Sequence, residues 1–171
     1  MVIPVGIAAA VAFQGPAAWA APVASSHQRA LSILLRIDQS HSHAMPAAAM
    51  HTDAPRLRAY AWALAQTGHP YVWGGVGPGF DCSGLVMMAY LQVGVHLPRT
   101  TTEMLSSPLL VRVVHPRMGD LAFYGTGHVE LFRRWGYTFG AHDAGSAVGL
   151  VHYGWGWKPT AFYRVVKRWD S

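Results

Sequence analysis

Residues 81–91 read Asp81-Cys82-Ser83-Gly84-Leu85-Val86-Met87-Met88-Ala89-Tyr90-Leu91. Asp is a preferred helix N-cap, because its carboxylate accepts a hydrogen bond from an orphan N–H of the first turn. From Leu85 onward the stretch is apolar on nearly every side, until Gly94 stops it. A helix with no polar face is predicted to lie in the middle of a domain. The chain's single cysteine falls in its first turn. A free thiol of pKa about 8.5 is only roughly 3% ionised at pH 7. A helix N-terminus favours the thiolate, and so does a nearby imidazolium. A cysteine serving as a small buried hydrophobe would fit better further along the helix. Cys82 is therefore the candidate nucleophile, and Gly84 is expected to leave space for a substrate backbone to approach.

Upstream lies Tyr71-Val72-Trp73-Gly74-Gly75-Val76-Gly77-Pro78-Gly79-Phe80, a loop too rich in Gly for a regular element. Its glycines are not spaced as in a phosphate loop and no Lys-Ser/Thr follows, which argues against nucleotide binding. Before it, Leu57, Tyr60, Ala61 and Leu64 recur at helical spacing, with Asp53 as the expected N-cap, Pro55 just inside and Gly68 at the end. The folded domain is thus expected to span 53–171. Residues 21–52 read as a short helix over 28–38 and a small-residue linker. His41, His43 and His51 have no Cys or carboxylate nearby at ligand spacing and are not read as a metal site. Residues 1–26 carry no charge. Their apolar stretch from Val2 to Phe13, then Ala18-Trp19-Ala20-Ala21-Pro22, predicts a signal peptide over 1–20. No basic residue precedes the apolar stretch, so an uncleaved N-terminal anchor is the alternative. A lone cysteine in an exported chain cannot form an internal disulfide, which again favours thiol chemistry.

Downstream, Leu97-Pro98-Arg99-Thr100 is rich in turn residues, and a short helix is predicted over 102–105. The pattern then changes to strands, over 109–114, 120–124, 128–132, 137–142, 148–153 and 162–166. Helices followed by strands predict an α+β domain with an antiparallel sheet. With 51% of 171 residues hydrophobic and 12% charged, the chain can build a core and is not disordered. The formal net charge is +5, but no run of like charges reaches the length of a nucleic-acid arm. The charge suits mild attraction to an anionic surface.

A thiol nucleophile needs a base. His128 stands at the start of a strand, in Gly127-His128-Val129-Glu130-Leu131-Phe132. Alternation puts His128, Glu130 and Phe132 on one face. Arg134-Trp135-Gly136 fits a three-residue hairpin with Gly in the left-handed position. That register pairs Arg133 with Tyr137, Phe132 with Thr138, Glu130 with Gly140 and His128 with His142. Cross-strand neighbours have Cβ atoms about 5 Å apart, so His142 is expected to orient His128. Glu130, two residues along the same strand, is the competing orienter, and His142 is preferred on this geometry.

Tyr71-Val-Trp-Gly-Gly, Pro78-Gly-Phe-Asp-Cys-Ser-Gly-Leu-Val, Leu97-Pro-Arg-Thr, Gly119-Asp-Leu and Gly127-His-Val occur in this order. Together they resemble the NlpC/p60 family of bacterial cell-wall cysteine peptidases. The resemblance covers about residues 53–171. It implies a papain-like α+β fold, with the nucleophile at the N-terminus of a buried helix. It further implies hydrolysis of peptidoglycan stem peptides, usually between γ-D-glutamate and the diamino acid. By the same match Cys82 is the nucleophile, His128 the base and His142 the third polar residue. Tyr71 would lie beside the thiol, and Asp81 and Ser83 would line the subsite for the stem's N-terminal end. Glu130 departs from the pattern, since a small Gly or Ala is common there. No metal or cofactor, no nucleic acid and a monomeric chain are expected, acting outside the cytoplasm at the cell wall. Membrane contact is expected only if the N-terminal segment stays uncleaved. The alternatives are an amidase of the CHAP type, a papain-like acyltransferase and a non-catalytic wall-binding module.

Overall fold

The structure, a computed structural model, describes residues 47–154 and 156–166, with side-chain surroundings from residue 55 onward. The expected export segment at 1–20, the helix at 28–38, and His41 and His43 lie outside the described residues. Helix α1 spans Ala47–Leu64, α2 Cys82–Leu91 and α3 Thr101–Leu105. Six strands follow: β1 Leu110–Val113, β2 Leu121–Tyr124, β3 His128–Arg134, β4 Tyr137–Gly140, β5 Gly149–His152 and β6 Ala161–Val165. They form one sheet in the order β1-β6-β2-β3-β4-β5, and every pairing is antiparallel. The expected α+β class with a central antiparallel sheet is the observed one.

Helix α1 begins earlier than the Asp53 cap suggested, at Ala47, and carries Pro55 inside it. Ala47, Ala48, Ala49 and Met50 are strong helix formers, and here propensity extends the helix past a good cap residue. Among the described residues, no helix is long and apolar enough to cross a membrane.

Helix α2 is buried as its sequence demanded. Leu85, Val86, Ala89 and Tyr90 are fully inaccessible and pack with Tyr60 of α1 and with Phe123, Val129, Leu131 and Phe139 of the sheet. Burying a side chain of the size of Leu85 or Val86 contributes about 1.5–3 kcal/mol. The Gly119-Asp120-Leu121 segment is tied into the same region. The hydroxyl of Tyr90 donates to the Gly119 carbonyl at 2.9 Å. Asp120, fully buried, accepts from Arg164 at 2.7 and 3.1 Å and lies 3.7 Å from Arg56. Gly119 has φ +90°, and an added Cβ would lie 2.9 Å from the Arg56 carbonyl oxygen, so only glycine fits there. This motif is structural: it locks β2 and β6 to α1 and α2.

The β3–β4 hairpin has the expected register over most of its length. Leu131 pairs with Phe139 and Phe132 with Thr138. At the turn, Arg134 pairs with Tyr137, where Arg133 was expected, and an irregularity lies between Phe132 and Arg134. The connection is therefore the two residues Trp135 and Gly136, with Gly136 at φ +82°. The extra residue is taken up as a bulge, which increases local twist without reversing the faces of β3.

Candidate active site

Two elements bring the chemistry together. Helix α2 packs on β3, and its N-terminus meets the first residue of that strand. Asp81 caps α2 as expected, accepting from the Gly84 N–H at 2.6 Å. Its carboxylate also accepts from the Gly74 N–H at 2.9 Å and from Arg99 at 3.0 and 2.6 Å. Arg99 donates to the Ser83 hydroxyl at 2.9 Å as well. Arg99 thus clamps the two residues that flank Cys82. The sequence placed Arg99 in the Leu97-Pro-Arg-Thr segment but gave it no role, because its partners are 16 and 18 residues away.

Gly84 has a different use from the expected one. A Cβ there would lie 2.1 Å from the Gly75 carbonyl oxygen. The missing side chain makes room for the Gly-rich loop of this chain, and the Asp81 N–H closes the contact by donating to Gly75 at 3.1 Å. The loop is thereby stapled onto the first turn of α2.

Cys82 is buried, and His128 is the imidazole that acts on its thiol. Burial pushes the thiol up, but the His128 hydrogen bond and charge, together with the Val129 backbone N–H, outweigh it and leave it below the ordinary thiol range. On His128 burial pushes down, and the bonds to Cys82 and Glu130 prevail, raising the imidazole to about 9. Both shifts act in the direction of a thiolate–imidazolium pair. Tyr71 stands beside this pair. Burial and then the negative charges of Cys82, Asp81 and Asp143 raise its phenol.

The expected direct approach of His142 to His128 is replaced by a bridge. The two rings meet edge-on with centroids 5.5 Å apart. Between them stands Glu130, fully buried, whose Oε1 accepts from His128 Nε2 at 3.0 Å and from His142 Nδ1 at 2.9 Å. Its Oε2 accepts from the Thr138 hydroxyl, which lies 2.9 Å from the Tyr124 hydroxyl. The donors from His128, Thr138 and His142 overcome burial and hold the Glu130 carboxyl below its ordinary range. The physical reason for the bridge is Gly140. It lies opposite Glu130, and a Cβ there would come 2.7 Å from Glu130 Cγ. The glycine lets a long side chain swing between the strands, a reach that Cα spacing along β3 does not reveal.

With Nε2 of His128 taken by Glu130, Nδ1 is the nitrogen left for the thiol. Among the described residues, His128, Glu130 and His142 form the one group arranged as metal ligands, with donor atoms within 4.8 Å of one another. The hydrogen bonds to Glu130 already account for that closeness. Trp157 completes the wall. It stacks on Tyr124 with centroids 4.8 Å apart and touches His128 and His142 edge-on at 5.7 and 5.6 Å. Its position in an irregular segment left no periodic signal in the sequence.

Known proteins share this arrangement of elements. The model of the NlpC/P60 family matches residues 68–161, more than half of the chain. The bifunctional muramidase/DL-endopeptidase CwlT of Bacillus subtilis (strain 168) is 37% identical over 92 residues, covering 48% of this chain and 28% of that protein. This chain therefore spans only about a quarter of the length of such curated relatives. The NlpC/p60 domain of the peptidoglycan hydrolase SagA superposes with a TM-score of 0.55 at 31% identity, over 66% of this chain and 98% of that one. RipD of Mycobacterium tuberculosis, described as a non-catalytic NlpC/p60 domain protein adapted to peptidoglycan binding, gives 0.53 at 30% identity over the same shares. The order of elements, the helix that opens on Cys82 and the matched residues agree: this chain belongs to the NlpC/P60 family.

Proposed function

We propose that this protein is a peptidoglycan hydrolase, a cysteine endopeptidase that cuts stem peptides between γ-D-glutamate and the diamino acid. The observation that carries the reading is the placement of Cys82 at the capped N-terminus of α2, with the thiol-facing His128 held at Nε2 by Glu130 at 3.0 Å. Family membership alone does not make an enzyme, as RipD illustrates. A thiol with its ionisation favoured beside a held imidazole is the added feature that catalysis requires.

In this reading the Cys82 thiolate attacks the γ-glutamyl carbonyl. The backbone N–H of Cys82, which the first helical turn leaves outside the intrahelical ladder, helps bind the oxyanion. His128 gives its proton to the leaving amine and then takes one from the water that releases the acyl group. His142 is the third member of the set. Tyr71, Asp81 and Ser83 line the side of the cleft that receives the stem's N-terminal end. Cell-wall substrates place this work outside the cytoplasm, in keeping with the expected export segment.

The test is mass spectrometry of purified peptidoglycan after digestion. The expected products carry a free γ-D-glutamyl carboxyl on one side and a free diamino-acid α-amine on the other. Cys82→Ser is expected to lose nearly all of this activity while its circular dichroism spectrum stays unchanged. Products cut between muramic acid and the first alanine would instead identify an amidase.

A further inference from the structure

We infer that Glu130 is the positioning residue of the thiol–imidazole pair: one buried carboxylate oxygen accepts from both His128 and His142 and fixes which nitrogen of His128 faces Cys82. The inference rests on the proposed reading of Cys82 and His128 as the reacting pair.

Four observations converge on it. Glu130 is fully buried yet has donors on both oxygens, so its charge is retained by design of the surrounding sheet. A carboxylate can only accept, so both rings must present N–H to it: Nε2–H on His128 and Nδ1–H on His142. That sets the tautomer of neutral His128 with Nδ1 free to take the thiol proton. Gly140 is matched to it, because any side chain there would strike Glu130 Cγ. His142, by contrast, reaches His128 through a ring edge and acts on it through Glu130.

Other groups also face the pair. On the thiol side they are Asp81, Tyr71 and Arg99, and on the carboxylate side Tyr124, which in turn feels Tyr153. Asp81 opposes thiolate formation and is itself paired with Arg99 at 2.6 Å. Among the described residues, none of these groups shares the Nε2 of His128 that Glu130 holds.

The test needs no substrate. Iodoacetamide labelling of Cys82 is measured against pH in the unaltered chain, Glu130→Gln and His142→Gln. Removing the Glu130 charge is expected to move the onset of labelling upward by about one pH unit, and so to slow labelling about tenfold at pH values below the onset. His142→Gln is expected to move it less. A Glu130→Gln chain that is folded and keeps the original profile would overturn the inference. If that variant does not fold, the unaltered chain still decides. Long-range nitrogen–proton NMR is expected to place the neutral-form proton on Nε2 of His128 and on Nδ1 of His142, and the opposite tautomer on His128 would overturn it. Loss of peptidoglycan cleavage alone, with these labelling results intact, would count against the proposed substrate and leave the positioning role standing.

Discussion

Glu130 and Gly140 belong together. The glycine opposite the carboxylate is what lets the side chain reach two histidines, so a methyl there should act at a distance. Gly140→Ala is expected to cost about 1–3 kcal/mol of stability by overpacking. It is also expected to slow Cys82 labelling, because Glu130 must shift away from His128. Urea unfolding and iodoacetamide kinetics on the same preparation check both halves, and a stability loss with unchanged labelling would separate packing from positioning. Much at this scale was readable beforehand. Capping is a local matter of three residues, so Asp81 and the placement of Cys82 could be read directly from Asp-Cys-Ser-Gly. The alternation of β3 put His128 and Glu130 on one face. What could not be read was which of Glu130 and His142 touches His128. That choice depends on side-chain reach and on what lies across the sheet, and strand spacing reports neither.

Helix α2 and the Gly-rich loop form one unit at the level of elements. Asp81 serves three of its parts at once: the first turn of α2 through Gly84, the loop through Gly74, and the segment before α3 through Arg99. Asp81→Ala is expected to cost about 1–2 kcal/mol through the lost cap alone. Arg99→Lys, which cannot reproduce the two parallel bonds to the carboxylate, is expected to raise KM for a stem peptide more than it lowers kcat. An unchanged KM would mean that the clamp does not shape the substrate side of the cleft. The sequence named every strand of the sheet to within a few residues, because each alternates or runs apolar between turn residues. The start of α1 was missed, since a favourable cap at Asp53 competes with an alanine run before it. The hairpin turn came out one residue shorter than expected, with the surplus absorbed as a bulge in β3.

Over the whole molecule, the strand order β1-β6-β2-β3-β4-β5 was not legible in the sequence. Nothing local says that the last strand inserts between the first and second; the buried Asp120–Arg164 pair and the packing of β6 decide it. The charges buried at the site should show in the pH dependence of stability. Glu130 is held below its ordinary range, so its charged form stabilises the fold above the ordinary carboxylate value of about 4.3. That contribution is lost as the pH falls through the depressed value. His128, raised to about 9, has the opposite sign: its contribution is complete below the ordinary 6.5 and is lost as the pH rises through about 9. The Tm difference between the unaltered chain and Glu130→Gln is therefore expected to be widest near neutral pH and to close in acid. A difference that stays constant down to pH about 2 would contradict the sign assigned to Glu130. The central claim is that Cys82 forms a covalent bond to the γ-D-glutamyl carbonyl, and rapid acid quench of the protein with a stem peptide tests it most directly. Peptide mapping by mass spectrometry should find the acyl fragment ending in D-glutamyl on the segment that carries Cys82, and nowhere in Cys82→Ser. Cleavage of the stem peptide by Cys82→Ser at the rate of the unaltered chain, with no adduct on either protein, would contradict it.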